Sequence, residues 1–107
     1  MKRVLFVCGR NLRRSPTAEA IFADVPGIET ASAGLNPDAE EPLTAELVEW
    51  ADLIFVMEKA QRAKLSARFR NSLRRSRVVC LDIADRYDLM DPELVRLLRA
   101  KVAPLLQ

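Results

Sequence analysis

Val4-Leu5-Phe6-Val7-Cys8-Gly9-Arg10-Asn11-Leu12-Arg13-Arg14-Ser15-Pro16 decides the reading of this chain. Four apolar residues make a short strand, and a thiol stands at its end. Five residues separate that thiol from Arg14, and Ser-Pro follows. Serine caps helices and proline suits their first position, so a helix is expected to open at Ser15-Pro16. Cys8 and Arg14 then lie on a tight loop between a strand and a helix N-terminus. Such a loop gathers backbone N–H groups and a positive dipole end around one point. An anion there is stabilised, whether the thiolate of Cys8 or a bound phosphate. The planar guanidinium of Arg14 can grip two phosphate oxygens at once.

The 107 residues are expected to form a single domain, 1–107, with 50% hydrophobic and 30% charged residues. A net charge of +2 is too small to argue for nucleic acid by itself. Only five apolar residues, Val4 to Cys8, precede Gly9, too few for a signal-peptide core or a membrane span, which points to a cytoplasmic protein. There is no histidine. That excludes a cysteine–histidine pair, a serine–histidine triad and a histidine metal site. A nucleophilic Cys8 must therefore be kept ionised by the loop amides, the helix end and the arginines. The two cysteines, Cys8 and Cys80, give neither a disulfide framework nor a metal spacing.

Periodicity places strands at 2–7, 28–33, 53–57 and 77–81, with helices over 16–24, around Leu43-Leu47-Trp50, over 58–69, and from Pro92 onward with Asp91 as cap. Trp50, Met57 and Cys80 are expected in the core. Short apolar strands separated by helices predict an α/β fold, a parallel sheet covered on both sides. Ligands bind such sheets beyond the carboxyl ends of the strands. Cys8 sits at one such end. The loop 82–90, with Asp82, Asp85 and Asp88, follows another.

The chain resembles the low-molecular-weight protein tyrosine phosphatases. Cys8-x5-Arg14-Ser15-Pro16 with Asn11, Thr17-Ala18-Glu19-Ala20, Ser32-Ala33-Gly34, Ala51-Asp52-Leu53-Ile54-Phe55-Val56-Met57 and Ile83-Ala84-Asp85-Arg86-Tyr87 follow the family's motifs in order along nearly the whole chain. Arg10 stands where a loop glycine is usual, Arg13 where many members carry a second cysteine, and Arg86 where a proline follows the catalytic aspartate. The segment between Gly34 and Leu43 is short, so the chain resembles a compact branch. The resemblance implies a three-layer α/β/α fold of flavodoxin-like type, with a four-stranded parallel sheet in order 2-1-3-4.

It also implies a cysteine-dependent phosphomonoesterase, a protein tyrosine phosphatase acting through a cysteinyl-phosphate, with no metal and no organic cofactor. Cys8 is then the nucleophile and Arg14 the transition-state clamp. Gly9, Arg10, Asn11, Leu12, Arg13 and Ser15 cradle the phosphate, with Ser32 as a second partner for Asn11. Asp85 is the implied acid, and Tyr87 could stack on an aryl leaving group. Asp91-Pro92 offers a second acid, although a helix cap explains all of its features. Expected partners are a phosphorylated protein or a small aryl phosphate, with phosphate or sulfate in the loop. A membrane partner is not expected. Phosphotyrosine, phosphoarginine and small phosphate esters all remain open. So do a non-catalytic phosphate-binding module and an arsenate reductase, the latter weakened because residues 58–76 lack cysteine. Arg68, Arg70, Arg74, Arg75 and Arg77, with Phe69, form a basic cluster that reads as a solvated surface before it reads as a docking patch or nucleic-acid site.

Overall fold

The computed structural model describes residues 1–73 and 75–106. Strands β1 (Lys2–Cys8), β2 (Ile28–Gly34), β3 (Leu53–Val56) and β4 (Arg77–Cys80) form one parallel sheet in the order β2-β1-β3-β4. Helices α1 (Arg14–Phe22), α2 (Ala45–Trp50), α3 (Lys59–Arg68) and α4 (Pro92–Val102) alternate with them. This is the three-layer architecture expected from the sequence.

The strands hold together because successive side chains point to opposite faces and both faces are covered. Val4, Phe6 and Cys8 of β1 join Leu53, Phe55 and Met57 under α1 and α4. Leu5 and Val7 join Ile54 and Val56 in a second cluster with Val48 of α2 and Leu65 of α3. Phe6 stands at the centre of the first layer, its ring 5.9 Å from Phe22 and 5.4 Å from Phe55, both stacked. Burial of each such ring contributes roughly 1.5–3 kcal/mol. These layers fix the end of β1, and with it the sulfur of Cys8. No helix among the described residues is long and apolar enough to cross a membrane.

Several local expectations need correction. Ser15 does not cap α1. The helix begins at Arg14, Arg13 occupies the cap position without a side-chain bond, and Ser15 lies inside the first turn with its hydroxyl engaged elsewhere. Pro16 is still tolerated, because the first-turn N–H groups have no intrahelical acceptor. Leu43 precedes α2, whose cap is Thr44, its hydroxyl accepting from the Leu47 amide at 3.2 Å. Met57 is fully buried, but Trp50 is only half-buried. Cys80 is also half-buried, since β4 is an edge strand with a neighbour on one side only.

Candidate active site

The loop after β1 folds back on its own cysteine. Asn11 adopts φ 58, a left-handed conformation that asparagine tolerates better than most residues. That turn aims the Asn11 amide at Cys8 Sγ, 3.2 Å away. Ser15 Oγ shares a 2.9 Å hydrogen bond with the same sulfur and donates to Asn11 Oδ1 at 2.8 Å. Cys8, Asn11 and Ser15 thus form a closed triangle of buried groups. Among the described residues, Asn11 alone in the stretch 9–13 gives its amide to a protein acceptor, which leaves the neighbouring amides for a ligand.

The short segment 35–43 holds this loop from outside. The amides of Leu35, Asn36 and Glu40 donate to the carbonyls of Cys8, Gly9 and Arg10 at 3.0, 2.8 and 3.1 Å. Gly34 permits the approach. A Cβ there would lie 2.6 Å from the Gly9 carbonyl oxygen and 2.6 Å from Ala39 Cβ. Arg68 braces the far side, donating to the Leu35 carbonyl at 2.7 Å with its guanidinium 5.2 Å from the Phe69 ring centroid. One member of the basic cluster is therefore a structural strut. Arg70, Arg75 and Arg77 are exposed, and Arg74 lies outside the described residues.

Arg14 is only 4% exposed and is held by three partners. Its Nη1 donates to the Ile83 carbonyl at 2.8 Å and lies 3.2 Å from Glu58 Oε2, while its Nε lies 3.6 Å from Asp85 Oδ1. A guanidinium taken out of water requires such partners. Sequence reasoning missed Glu58. It stands just beyond β3 and is held by a capping box. Gln61 Oε1 accepts from the Met57 and Glu58 amides at 2.9 and 3.0 Å, and Gln61 Nε2 donates to Glu58 Oε2 at 3.2 Å. The acidic-x-x-Gln spacing before a helix carried that signal.

Cys8, Arg10, Leu12, Arg13, Arg14 and Asp85 line one small cavity of about 90 Å³. Gly9 borders an adjoining cleft that shares Arg10, Arg14 and Asp85. Asn11 and Ser15 lie beneath, on the sulfur. The other expected residues are elsewhere. Ser32 Oγ donates to Glu19 Oε1 at 2.5 Å rather than meeting Asn11. Ser32 pairs in register with Phe6 and so faces α1, where Glu19 lies. Asp91 does not line the cavity; its Oδ1 accepts from the Glu93 amide at 2.9 Å and caps α4. Tyr87 is not at the mouth either. Its ring is buried in the first core layer, with Arg86 Nε and Nη2 donating to its hydroxyl at 3.3 and 3.2 Å and the guanidinium 5.3 Å from the ring centroid. With arginine at position 86 the phenol finds a local partner and the ring can bury.

A thiol, an arginine and a carboxylate thus share one cavity at the carboxyl ends of a parallel sheet, beside a helix N-terminus that suits an anion. Comparison with known proteins agrees. No protein-family model matches the chain. A protein of Ralstonia nicotianae named as a probable low molecular weight protein-tyrosine-phosphatase, EpsP, is 31% identical over an alignment of 116 residues that covers 86% of this chain and 79% of the relative. The solved tyrosine phosphatase Wzb from Escherichia coli K30, in complex with phosphate, superposes with a TM-score of 0.80 at 18% identity, covering 97% of this chain and 95% of that one. A YwlE arginine phosphatase, a cysteine-to-serine mutant with a phosphorylated active-site serine, superposes with a TM-score of 0.73 at 26% identity, covering 97% and 95% of the two chains. The chain belongs to the low-molecular-weight protein-tyrosine-phosphatase family. By that membership it is a phosphatase-type hydrolase.

Proposed function

We propose that the chain hydrolyses phosphotyrosine-like monoesters through a covalent cysteinyl-phosphate. The observation that carries this reading is the sulfur of Cys8, which accepts from the Asn11 amide, lies within hydrogen-bond distance of Ser15 Oγ and borders the cavity shared by Arg14 and Asp85. In the first step the Cys8 thiolate attacks phosphorus, an S–P bond forms and the P–O ester bond breaks. The loop amides and Arg14 hold the equatorial oxygens where negative charge spreads. Asp85 as a carboxylic acid gives its proton to the leaving oxygen. In the second step water attacks phosphorus, the Asp85 carboxylate takes its proton, and the S–P bond breaks. The Ser15 hydroxyl, turned from Asn11 Oδ1 to the sulfur, stabilises the departing thiolate.

The likeness to a protein with a phosphorylated active-site serine, and to structures holding phosphate, sulfate or benzylphosphonate, supports this reading. An arsenate-reductase relay finds no support. Cys80 pairs in register with Val56, which pairs with Val7, so its side chain shares their face while that of Cys8 lies on the other. The two cysteines are also two strand spacings apart, roughly 10 Å, beyond disulfide reach. The test is turnover of p-nitrophenyl phosphate, phosphotyrosine and phosphoarginine by the wild type, Cys8→Ser and Asp85→Asn. Cys8→Ser is expected to abolish turnover, and Asp85→Asn to lower kcat by about 10²–10⁴. Phosphate binding without hydrolysis by the wild type would leave a non-catalytic module, and selective turnover of phosphoarginine would move the substrate class.

A further inference from the structure

Two arginines besides Arg14 line the cavity. Arg14 is neutralised from within by Glu58 and Asp85. Arg10 and Arg13 line the same cavity, and both are exposed. Arg10 pairs with Asp38 at 3.6 Å, but with side chains 61% and 66% exposed the pair is weak, because water screens both charges. Among the described residues, Arg13 takes part in no ion pair. Leu12 stands between the two arginines, lines the cavity with them and is itself exposed. An apolar side chain flanked by two available guanidinium groups, at the mouth of a pocket deep enough for one phosphate, matches an acidic peptide chain better than a bare phosphate ester.

We propose that the physiological substrate is a phosphorylated residue flanked by carboxylate side chains, which Arg13, assisted by Arg10, draws to the mouth of the site. This rests on the phosphatase reading and names its substrate class. Neither arginine takes part in bond making. Each adds attraction for a second anionic group before the reaction, so the effect falls on KM rather than kcat. Exposed charge pairs are individually small, so a preference of about fivefold is expected for the two together at low salt, shrinking as salt is raised.

The experiment compares two phosphotyrosyl peptides of equal length, one with Asp and Glu beside the phosphotyrosine and one with Asn and Gln. Both are assayed with the wild type, Arg13→Gln and the charge reversal Arg13→Glu, and p-nitrophenyl phosphate turnover is measured alongside. The expected result is a lower KM for the acidic peptide with the wild type, a preference cut at least by half with Arg13→Gln, and a ratio of one or below with Arg13→Glu. An acidic-to-neutral ratio near one in the wild type, or one unchanged by both substitutions, overturns the proposal. So does hydrolysis of p-nitrophenyl phosphate with neither peptide accepted, an outcome that leaves the phosphatase reading standing. If the wild type hydrolyses none of the three, that reading fails and this one with it.

Discussion

Two loops leave the same end of the sheet, beyond the carboxyl ends of β1 and β4, and they are built in opposite ways. The loop after β1 is pinned at Gly9, Arg10 and Asn11 by the sulfur of Cys8, by Ser15 and by the backbone of segment 35–43. Among the described residues, the loop after β4 reaches the site through the Ile83 carbonyl and the Asp85 carboxylate, both on Arg14. Asp85 there is 60% exposed. Each loop also follows a cysteine at a strand end. Cys8 faces returning amides. Cys80 instead has an acidic neighbour, its thiol donating to Asp82 Oδ1 at 3.5 Å. A strand-end position alone therefore does not make a nucleophile. What the chain does after the cysteine differs, and in the proposed mechanism the pinned loop supplies fixed dipoles for transition-state charge while the exposed Asp85 supplies the proton.

The two cysteines give the sharpest way to break this contrast. Cys8→Ser should lower kcat by at least about 10³, since a serine hydroxyl lacks a base here to activate it. Cys80→Ser should leave kcat unchanged and cost no more than about 1 kcal/mol of stability at its half-buried edge position. Alkylation followed by peptide mapping, with turnover measured on the same samples, tests both. Inactivation that tracks modification of Cys80 rather than Cys8 would remove the distinction between the two strand ends.

The legibility of each loop follows its construction. The first could be read because its parts are consecutive: an apolar strand, Cys8, Arg14 and a helix start. The parallel sheet was also accessible, because short apolar strands alternate with helices, whereas the strand order came from the resemblance to the family. Glu58 was not read as part of the site, since its partner Arg14 is far away in sequence and the two meet only when β3 pairs beside β1. The helix cap expected at Ser15 fails for a chemical reason. A hydroxyl before Pro16 is what a helix cap requires and also what a buried sulfur and an asparagine carbonyl require, and only the turn at Asn11 chooses between them. Tyr87 was placed at the mouth by resemblance alone; the neighbouring Arg86 gives its hydroxyl a partner that lets the ring bury.

Gly34→Ala probes the stitching of the first loop. Its new methyl group would meet the Gly9 carbonyl and Ala39 at distances that force backbone to move. A cost of about 1–3 kcal/mol is expected. Displacement of Gly9 and Arg10 should lower turnover as well. Gly27→Ala is the control. Gly27 has φ +84 with nothing near its missing Cβ, so alanine there brings strain without a clash and lies away from the cavity. It should lower stability by about 1 kcal/mol with kcat preserved. Thermal melts read beside kcat separate the two. Equal turnover in both variants would mean that the 35–43 segment does not hold the loop.

The smallest effect is expected where the second loop ends. Asp91 accepts the Glu93 amide and its own carbonyl accepts from Val95 at 2.9 Å, so its side chain satisfies one first-turn donor of α4 while its backbone starts the helix. Asp91→Ala removes only the side-chain bond, at a cost of about 1 kcal/mol, typical for a lost cap. In a domain of this size that is a fall in Tm of about 4–8 °C. The anchor of the loop is otherwise retained, because the Met90 amide still donates to Thr17 Oγ1 at 2.9 Å and the Ile83 amide to the Met57 carbonyl at 2.8 Å. Asp85 then keeps its place beside Arg14, and kcat should match the wild type below the melting transition. A variant with unchanged Tm and collapsed kcat would transfer the proton-donor role to Asp91. It would also mean that the second loop, and not only the first, is fixed in place for catalysis.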